Sequence, residues 1–331
     1  MSQPLVTAVH PSHAIEGGRV TLDGSGFSDD RSQPLDVQVH DRQARVVFAS
    51  SSRVSFIVPS GIIEPGPAPV RIANRLIERA AFHLAGPIAT GLHQVDNPLI
   101  DRAGHVYVTY SGTRGQQVPV SIFRITPDGT REAYSSAVVN PTSMAMDAEG
   151  RVYVSSRFEG AVYRLAPDGS AEPFATDLGI TCGLAFAPDG SLFVGDRSGT
   201  IFSIDRHGNA TTLASLPSSV AAFHLALGPD ALYVSAPTVS PYDVVYRINF
   251  DGEVTTLPQK FGRPQGLAFG PDGSLFVVDA LAGASGLYRL VGDQPPELVL
   301  SGAGLIGLAF DPHGGLVVCS NETAYRLPGL S

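Results

Sequence analysis

The residues of this chain whose types and spacing could do chemistry gather around one dipeptide, Asp96-Asn97, and one histidine, His224. A carboxylate beside an amide can offer oxygen ligands to a hard divalent cation, and a histidine can act as a general base. The nine histidines are otherwise scattered, with no His-x-His or His-x-x-x-His pair of the kind zinc or iron needs. A lone histidine is also an ordinary core residue, and both readings of His224 stay open. There is no Gly-x-Ser-x-Gly, no phosphate loop and no dinucleotide fingerprint.

What must position these residues is a repeat. Gly183-Leu-Ala-Phe-Ala-Pro-Asp-Gly-Ser-Leu-Phe-Val194 returns as Gly266-Leu-Ala-Phe-Gly-Pro-Asp-Gly-Ser-Leu-Phe-Val277. Weaker copies begin at Leu99, Met144, Leu225 and Leu308. Their equivalent alanines, Ala145, Ala185, Ala226, Ala268 and Ala309, are spaced by 40, 41, 42 and 41 residues, and the first copy precedes by 46. Each unit reads as four short antiparallel strands. An apolar strand meets a Pro-Asp-Gly turn, an alternating strand follows, then a Tyr-Arg-Leu strand, a second turn and an outer strand. Four strands at a period near ~40–45 residues are the signature of a propeller blade. The chain is therefore all-β over residues 86–331, a six-bladed β-propeller.

The sixth copy ends at Tyr325-Arg-Leu327 and lacks its outer strand. Pro87-Ile-Ala-Thr-Gly-Leu92 matches Pro173-Phe-Ala-Thr-Asp-Leu178, so residues of about 87–92 are expected to complete the last blade and remove an exposed sheet edge. Residues 1–85 lack the repeat. They read as short strands, Val6–Val9, Arg19–Leu22, Val37–His40, Ala44–Phe48, Val54–Ile57 and Val70–Ala73, in a small immunoglobulin-like β-sandwich.

In a propeller the starts of the innermost strands converge on one mouth, the default pocket. Aligning the copies places Asp96, Asn97, Thr142, Ser143, Cys182, His224 and Gln265 there, with His93 just ahead of blade one. Asp196 and Asp279, each ending a second strand, are read as loop caps. Arg124, Arg164, Arg247, Arg289 and Arg326 recur with the blades and are read as inter-blade contacts. Arg157 and Arg197 run from second strands into loops on one face, where they form either an anion-binding spot or solvated loop arginines.

The Glu16-Gly-Gly-Arg-Val-Thr-Leu-Asp-Gly-Ser-Gly-Phe27 stretch, with Val58-Pro-Ser60 and Pro69-Val-Arg-Ile72, resembles the IPT/TIG family of immunoglobulin-like domains. That resemblance implies a structural or binding module. The Pro-Asp-Gly, Leu-Phe-Val and Tyr-Arg-Leu elements resemble NHL-repeat and SMP-30/gluconolactonase-like propellers. The gluconolactonase-like enzymes hold a divalent cation at the mouth, and the resemblance would place Ca2+ or another divalent cation at Asp96 and Asn97. Where the family carries Asn-Gly and Asp-Gly, this chain has Cys182-Gly and Gln265-Gly, so no cofactor is assigned.

A formal net charge of −9 disfavours nucleic acid and anionic membrane as partners. The expected address is cytoplasmic, since no signal peptide is visible, and Cys182 and Cys319, in distant blades, are expected as buried thiols. Two functions follow. One is a monomeric, non-catalytic protein that binds a small polar molecule or a protein loop at the mouth. The other is a divalent-metal-dependent hydrolase, lactonase-like, or a lyase, with Asp96 and Asn97 as ligands and His224 as base.

Overall fold

The computed structural model describes residues 4–27, 35–281 and 283–330 of the chain. Positions 1–3 of the expected 1–85 module, with 28–34, and positions 282 and 331 of the propeller span lie outside the described residues. Among the described residues every regular element is a strand. Each blade follows the repeat. In blade two, Pro141–Met146, Val152–Ser156, Ala161–Leu165 and Ala171–Ala175 pair antiparallel in chain order. The second strand of that blade, Val-Tyr-Val-Ser-Ser, is buried along its whole length, because neighbouring blades cover both faces of the sheet. The Pro-Asp-Gly turn works as its residues demand. In blade three the Ser191 N–H donates to Asp189 Oδ1 at 2.9 Å, and Gly190 takes φ +88°.

The innermost strands touch in cyclic order. Leu99–Ile100 of blade one meets both Pro141–Met146 of blade two and Leu305–Phe310 of blade six, which shuts the ring. Closure comes from the N-terminal side, as the sequence match predicts. Gly86–Thr90 pairs antiparallel with Thr323–Leu327, Pro87 opposite Tyr325 and Thr90 opposite Thr323. The strand stops short of residue 92 because Gly91 turns the chain at φ +67°, after which the Leu92 N–H donates to Glu322 O at 3.0 Å.

The N-terminal module has two sheets around one apolar core that includes Val20, Leu22, Val54, Phe56, Val70 and Phe82. One sheet orders Leu5–His10, Arg19–Ser25, Arg53–Ile57 and Arg45–Ala49. The other is built on Gly66–Ile72 and the ten-residue strand Arg75–Leu84, which the sequence reading omits. Its run Arg-Leu-Ile-Glu-Arg-Ala-Ala lacks clean alternation; long antiparallel pairing with Gly66–Ile72 makes it a strand.

That second sheet does not end at the module. The short strand His13–Ala14 pairs in parallel with Arg75–Leu84 on one side and with Glu297–Ser301, the outer strand of blade five, on the other. The result is one nine-stranded sheet running from blade five into the N-terminal module. Ile15, wholly buried, enters the apolar cluster of blades five and six, and its N–H donates to Ser301 O at 3.0 Å. Gly18 permits this approach, since a Cβ there would sit 2.4 Å from Ser301 O. Glu16 adds a carboxylate oxygen that accepts from the Tyr325 hydroxyl at 3.0 Å.

The recurrent arginines act differently from their sequence reading. Arg124, Arg164, Arg247 and Arg289 pair with Glu132, Glu172, Asp230 and Asp272 of their own blades. The ladder register explains the first two, because it sets Arg124 opposite Glu132 and Arg164 opposite Glu172. Arg326 alone of the five crosses to another blade, donating to Gly104 O at 3.4 Å.

Since Ile15 is the apolar plug between module and ring, Ile15→Ala should destabilise the chain by about 2–5 kcal/mol in denaturant unfolding. An unchanged midpoint would show that the junction carries no weight.

Candidate functional site

A recurring irregularity in the sheets builds the mouth. In blades two, three, five and six the pairing of first with second strand slips, between Pro141 and Met144, Thr181 and Leu184, Pro264 and Leu267, and Leu305 and Gly307. Such a bulge frees a residue from the ladder and re-aims its side chain. Thr142, Cys182, Gln265 and Ile306 occupy the slips, and all four line one cavity of about 290 Å³ where the innermost strands converge. Blade four has no slip and contributes Val220, Ala221 and Ala222 from the loop before its first strand. His93, Gln94 and Val95 come from the approach to blade one, and Asn321 from blade six. Ile180, Arg157 and Arg197 complete the wall.

The candidates from sequence therefore divide. Thr142, Cys182 and Gln265 face the cavity. Ser143 is a tie between blades two and three, its Oγ accepting the Leu184 N–H at 3.1 Å. Asn97 fastens blade one to two others: its Nδ2 donates to Leu267 O at 2.9 Å, and its Oδ1 accepts the Leu308 N–H at 3.0 Å. Glycine is required beside it, since a Cβ on Gly266 would lie 2.2 Å from Asn97 Oδ1. Asp196 and Asp279 are loop caps: Asp196 accepts from the Ile180 N–H at 2.8 Å, and Asp279 from the Gly262 and Arg263 N–H groups at 2.9 and 2.8 Å.

Asp96 and His224, separated by 128 residues, form a buried pair with Oδ1 and Nδ1 2.5 Å apart. Both are essentially inaccessible, at 2% and 0% exposure. The Asn97 N–H donates to the same Asp96 oxygen at 2.7 Å, and Gln94 Nε2 donates to Asp96 O at 2.8 Å. His224 Nε2 is buried without a hydrogen-bond partner among the described residues. Val95, next to Asp96, and Ala222, two residues before His224, line the cavity, while Asp96 and His224 themselves lie outside its lining.

A divalent cation does not fit this donor set. Asp96 is engaged by His224, and both amide atoms of Asn97 are held by backbone groups. Burial pushes the Cys182 thiol up to about 12, so it stays a neutral S–H, donating to Ile180 O at 3.3 Å. Gln265 is a neutral amide. A hard cation needs several oxygen ligands, preferably charged. Among the described residues no three His, Cys, Asp or Glu side chains converge to hold a metal ion.

The charge at the cavity is instead positive. Arg197 is held by backbone carbonyls, Nε donating to Ser219 O at 3.1 Å and Nη2 to Val220 O at 2.9 Å. Arg157 is half-buried; burial lowers its pKa from the ordinary value, and the nearby Arg197 charge lowers it further. Burial, and then Arg157, lower the pKa of His93. Gln94 and Asn321 escape a sequence reading because they lie outside the repeat's aligned mouth positions; ring closure brings them in, with the Gln94 N–H on Asn321 O at 2.9 Å.

Residues 4–83 match the IPT/TIG domain family and constitute such a domain. Along almost its whole length the chain is similar in fold to an auxiliary nutrient binding protein from Bacteroides ovatus, at 13% identity, 98% of each chain covered and a TM-score of 0.56. The propeller is similar to that of a gluconolactonase from Xanthomonas campestris, at 16% identity over 72% of this chain and 87% of that one, with a TM-score of 0.58. It is also similar to virginiamycin B lyase from Staphylococcus aureus, at 16% identity over 73% of this chain and 86% of that one, with a TM-score of 0.50. Identities this low carry the fold and nothing finer. No curated protein matches the sequence.

Removing either member of the Asp96–His224 pair strands the other in the interior. His224→Ala and Asp96→Asn should each cost about 2 kcal/mol or more in equilibrium unfolding. The double variant should lose much less than their sum; additive losses would show that the two side chains are not coupled.

Proposed function

We propose that this protein is a non-catalytic binding protein whose axial cavity takes a small polar molecule. The observation that carries this reading is the repeated bulge, which delivers a side chain from each of four blades into one cavity. The strands of these four blades fix the bulged side chains before any ligand arrives, which keeps the ordering cost of binding low. Gln265 and Thr142 supply donors and acceptors, while Ile306, Val95 and Ala222 exclude water.

The chemistry beside the cavity supports binding over turnover. A base must come within hydrogen-bond reach of the proton it removes. His224 spends Nδ1 on Asp96, and its Nε2 is sealed from the cavity side by packing, so the ring serves to hold blade four against blade one. The hydrolase alternative needs a cation at Asp96 and Asn97, and those groups are committed elsewhere.

A panel of sugars, polyols, amino acids, carboxylic acids and mononucleotides tests the reading by thermal unfolding. At least one compound should raise the stability of the wild type, by about 2.7 kcal/mol at a hundredfold excess over its Kd. Ala221→Trp, a loop substitution that fills the cavity, should cancel the effect. Consumption of the bound compound, lost on His224→Ala, would establish an enzyme and overturn the reading.

A further inference from the structure

Positive charge and apolar surface fall together in the axial cavity. Arg157 leaves blade two and Arg197 leaves blade three, with Ile180 between them in the chain and Val220 and Ala222 following on blade four. Some other arginines of the blades are paired with acids, while Arg102, Arg131, Arg206 and Arg326 donate to backbone carbonyls. Arg124, Arg151, Arg164, Arg247 and Arg289 each meet a carboxylate within 2.9 Å or closer. Arg157 and Arg197 meet none among the described residues, in a chain whose net charge is −9. The acids that lie close are already used: Asp96 by His224 and the Asn97 N–H, Asp196 by the Ile180 N–H and the Ser198 hydroxyl.

We propose that Arg157 and Arg197 clamp the carboxylate of a small aliphatic acid, with its hydrocarbon body against Ile180, Val220 and Ala222. This rests on the axial cavity being a ligand site and adds the charge class of what enters it. Guanidinium groups present forked donors that match a carboxylate in plane, and both stay charged at neutral pH. A half-buried cation without a counter-ion is electrostatically unfavourable, and a carboxylate entering beside it offsets that cost. The lowered pKa of Arg157 marks the same unfavourable situation, caused by burial and by Arg197. The Arg197 guanidinium is already aimed by its two backbone carbonyl acceptors, so little ordering remains. A cavity of about 290 Å³ lies at the small end of ligand sites, which run from ~300 Å³ upward, and suits a small ligand. That size and the apolar wall favour a short-chain carboxylate over a bare inorganic anion.

Hexanoate, its neutral isostere hexanamide and inorganic phosphate, titrated in turn by calorimetry and by NMR, separate the alternatives. Wild-type protein should bind hexanoate at least about tenfold more tightly than either of the other two, as expected for hydrogen bonds to a charged group. Arg157→Gln should abolish that preference, and Arg157→Lys, which keeps charge without the fork, should restore part of it. Unfolding midpoints of the ligand-free variants, unchanged from wild type, confirm that the fold survives. Equal binding of hexanamide, preference for phosphate, or hexanoate affinity indifferent to Arg157→Gln would each overturn the clamp. Failure of all three probes to bind would do the same, while a neutral compound blocked by Ala221→Trp would leave the cavity standing as a ligand site.

Discussion

The antiparallel pairing of Gly86–Thr90 with Thr323–Leu327 is the interaction on which the rest of the structure depends. Without it blade six is a three-stranded sheet with an open edge, and the innermost strands of blades one and six have no reason to meet. With it, the chain that leaves Thr90 turns at Gly91 and lays Gln94, Asp96 and Asn97 across the blade one–blade six seam. Asn97 then binds the backbone of blades five and six, and Asp96 reaches His224 of blade four. Within seven residues of the closing strand, Asp96 and Asn97 thus tie one segment to blades four, five and six. The cavity beside them inherits its shape from that knot of buried polar contacts, each of which is costly to break in a low-dielectric interior.

The N-terminal domain belongs to the same construction. Its sheet is continuous with blade five through His13–Ala14, and the covalent link between domain and ring is itself the closing strand. Ile15 and Ala85 share the apolar cluster that supports blade six, so domain docking and ring closure reinforce each other. A tethered module with so continuous a sheet differs from the mobile pairing expected of small interdomain interfaces.

How far the sequence could be read follows from the range of the interactions involved. The blades were legible because each is a local unit whose turn chemistry and alternation repeat, as Gly183–Val194 and Gly266–Val277 show. The closing strand was legible because Pro87–Leu92 copies an outer strand found elsewhere in the chain. Thr142, Cys182 and Gln265 were placed at the mouth by alignment alone. The bulges that turn those side chains inward were not, since a slip in register depends on the partner strand and leaves no residue-type signature of its own. Pairings across the ring were equally hidden. Asp96 and His224 read in sequence as a separate ligand and base; their contact spans 128 residues and is decided by tertiary packing. The blade arginines read in sequence as inter-blade contacts because their recurrence is visible and their cross-strand register is not. Arg157 and Arg197 read in sequence as an anion site or as solvated loop arginines, and the loop path that brings both to the cavity wall has no residue-type signature.

Amide hydrogen exchange at the closing strand tests the central claim most directly. If that pairing holds the ring shut, the protected amides of residues 86–90 and 323–327 exchange only with global unfolding, at the rate of the inner strand Thr181–Phe186 of blade three. Exchange of the closing strand by a separate, lower-energy opening, while blade three stays protected, would contradict it.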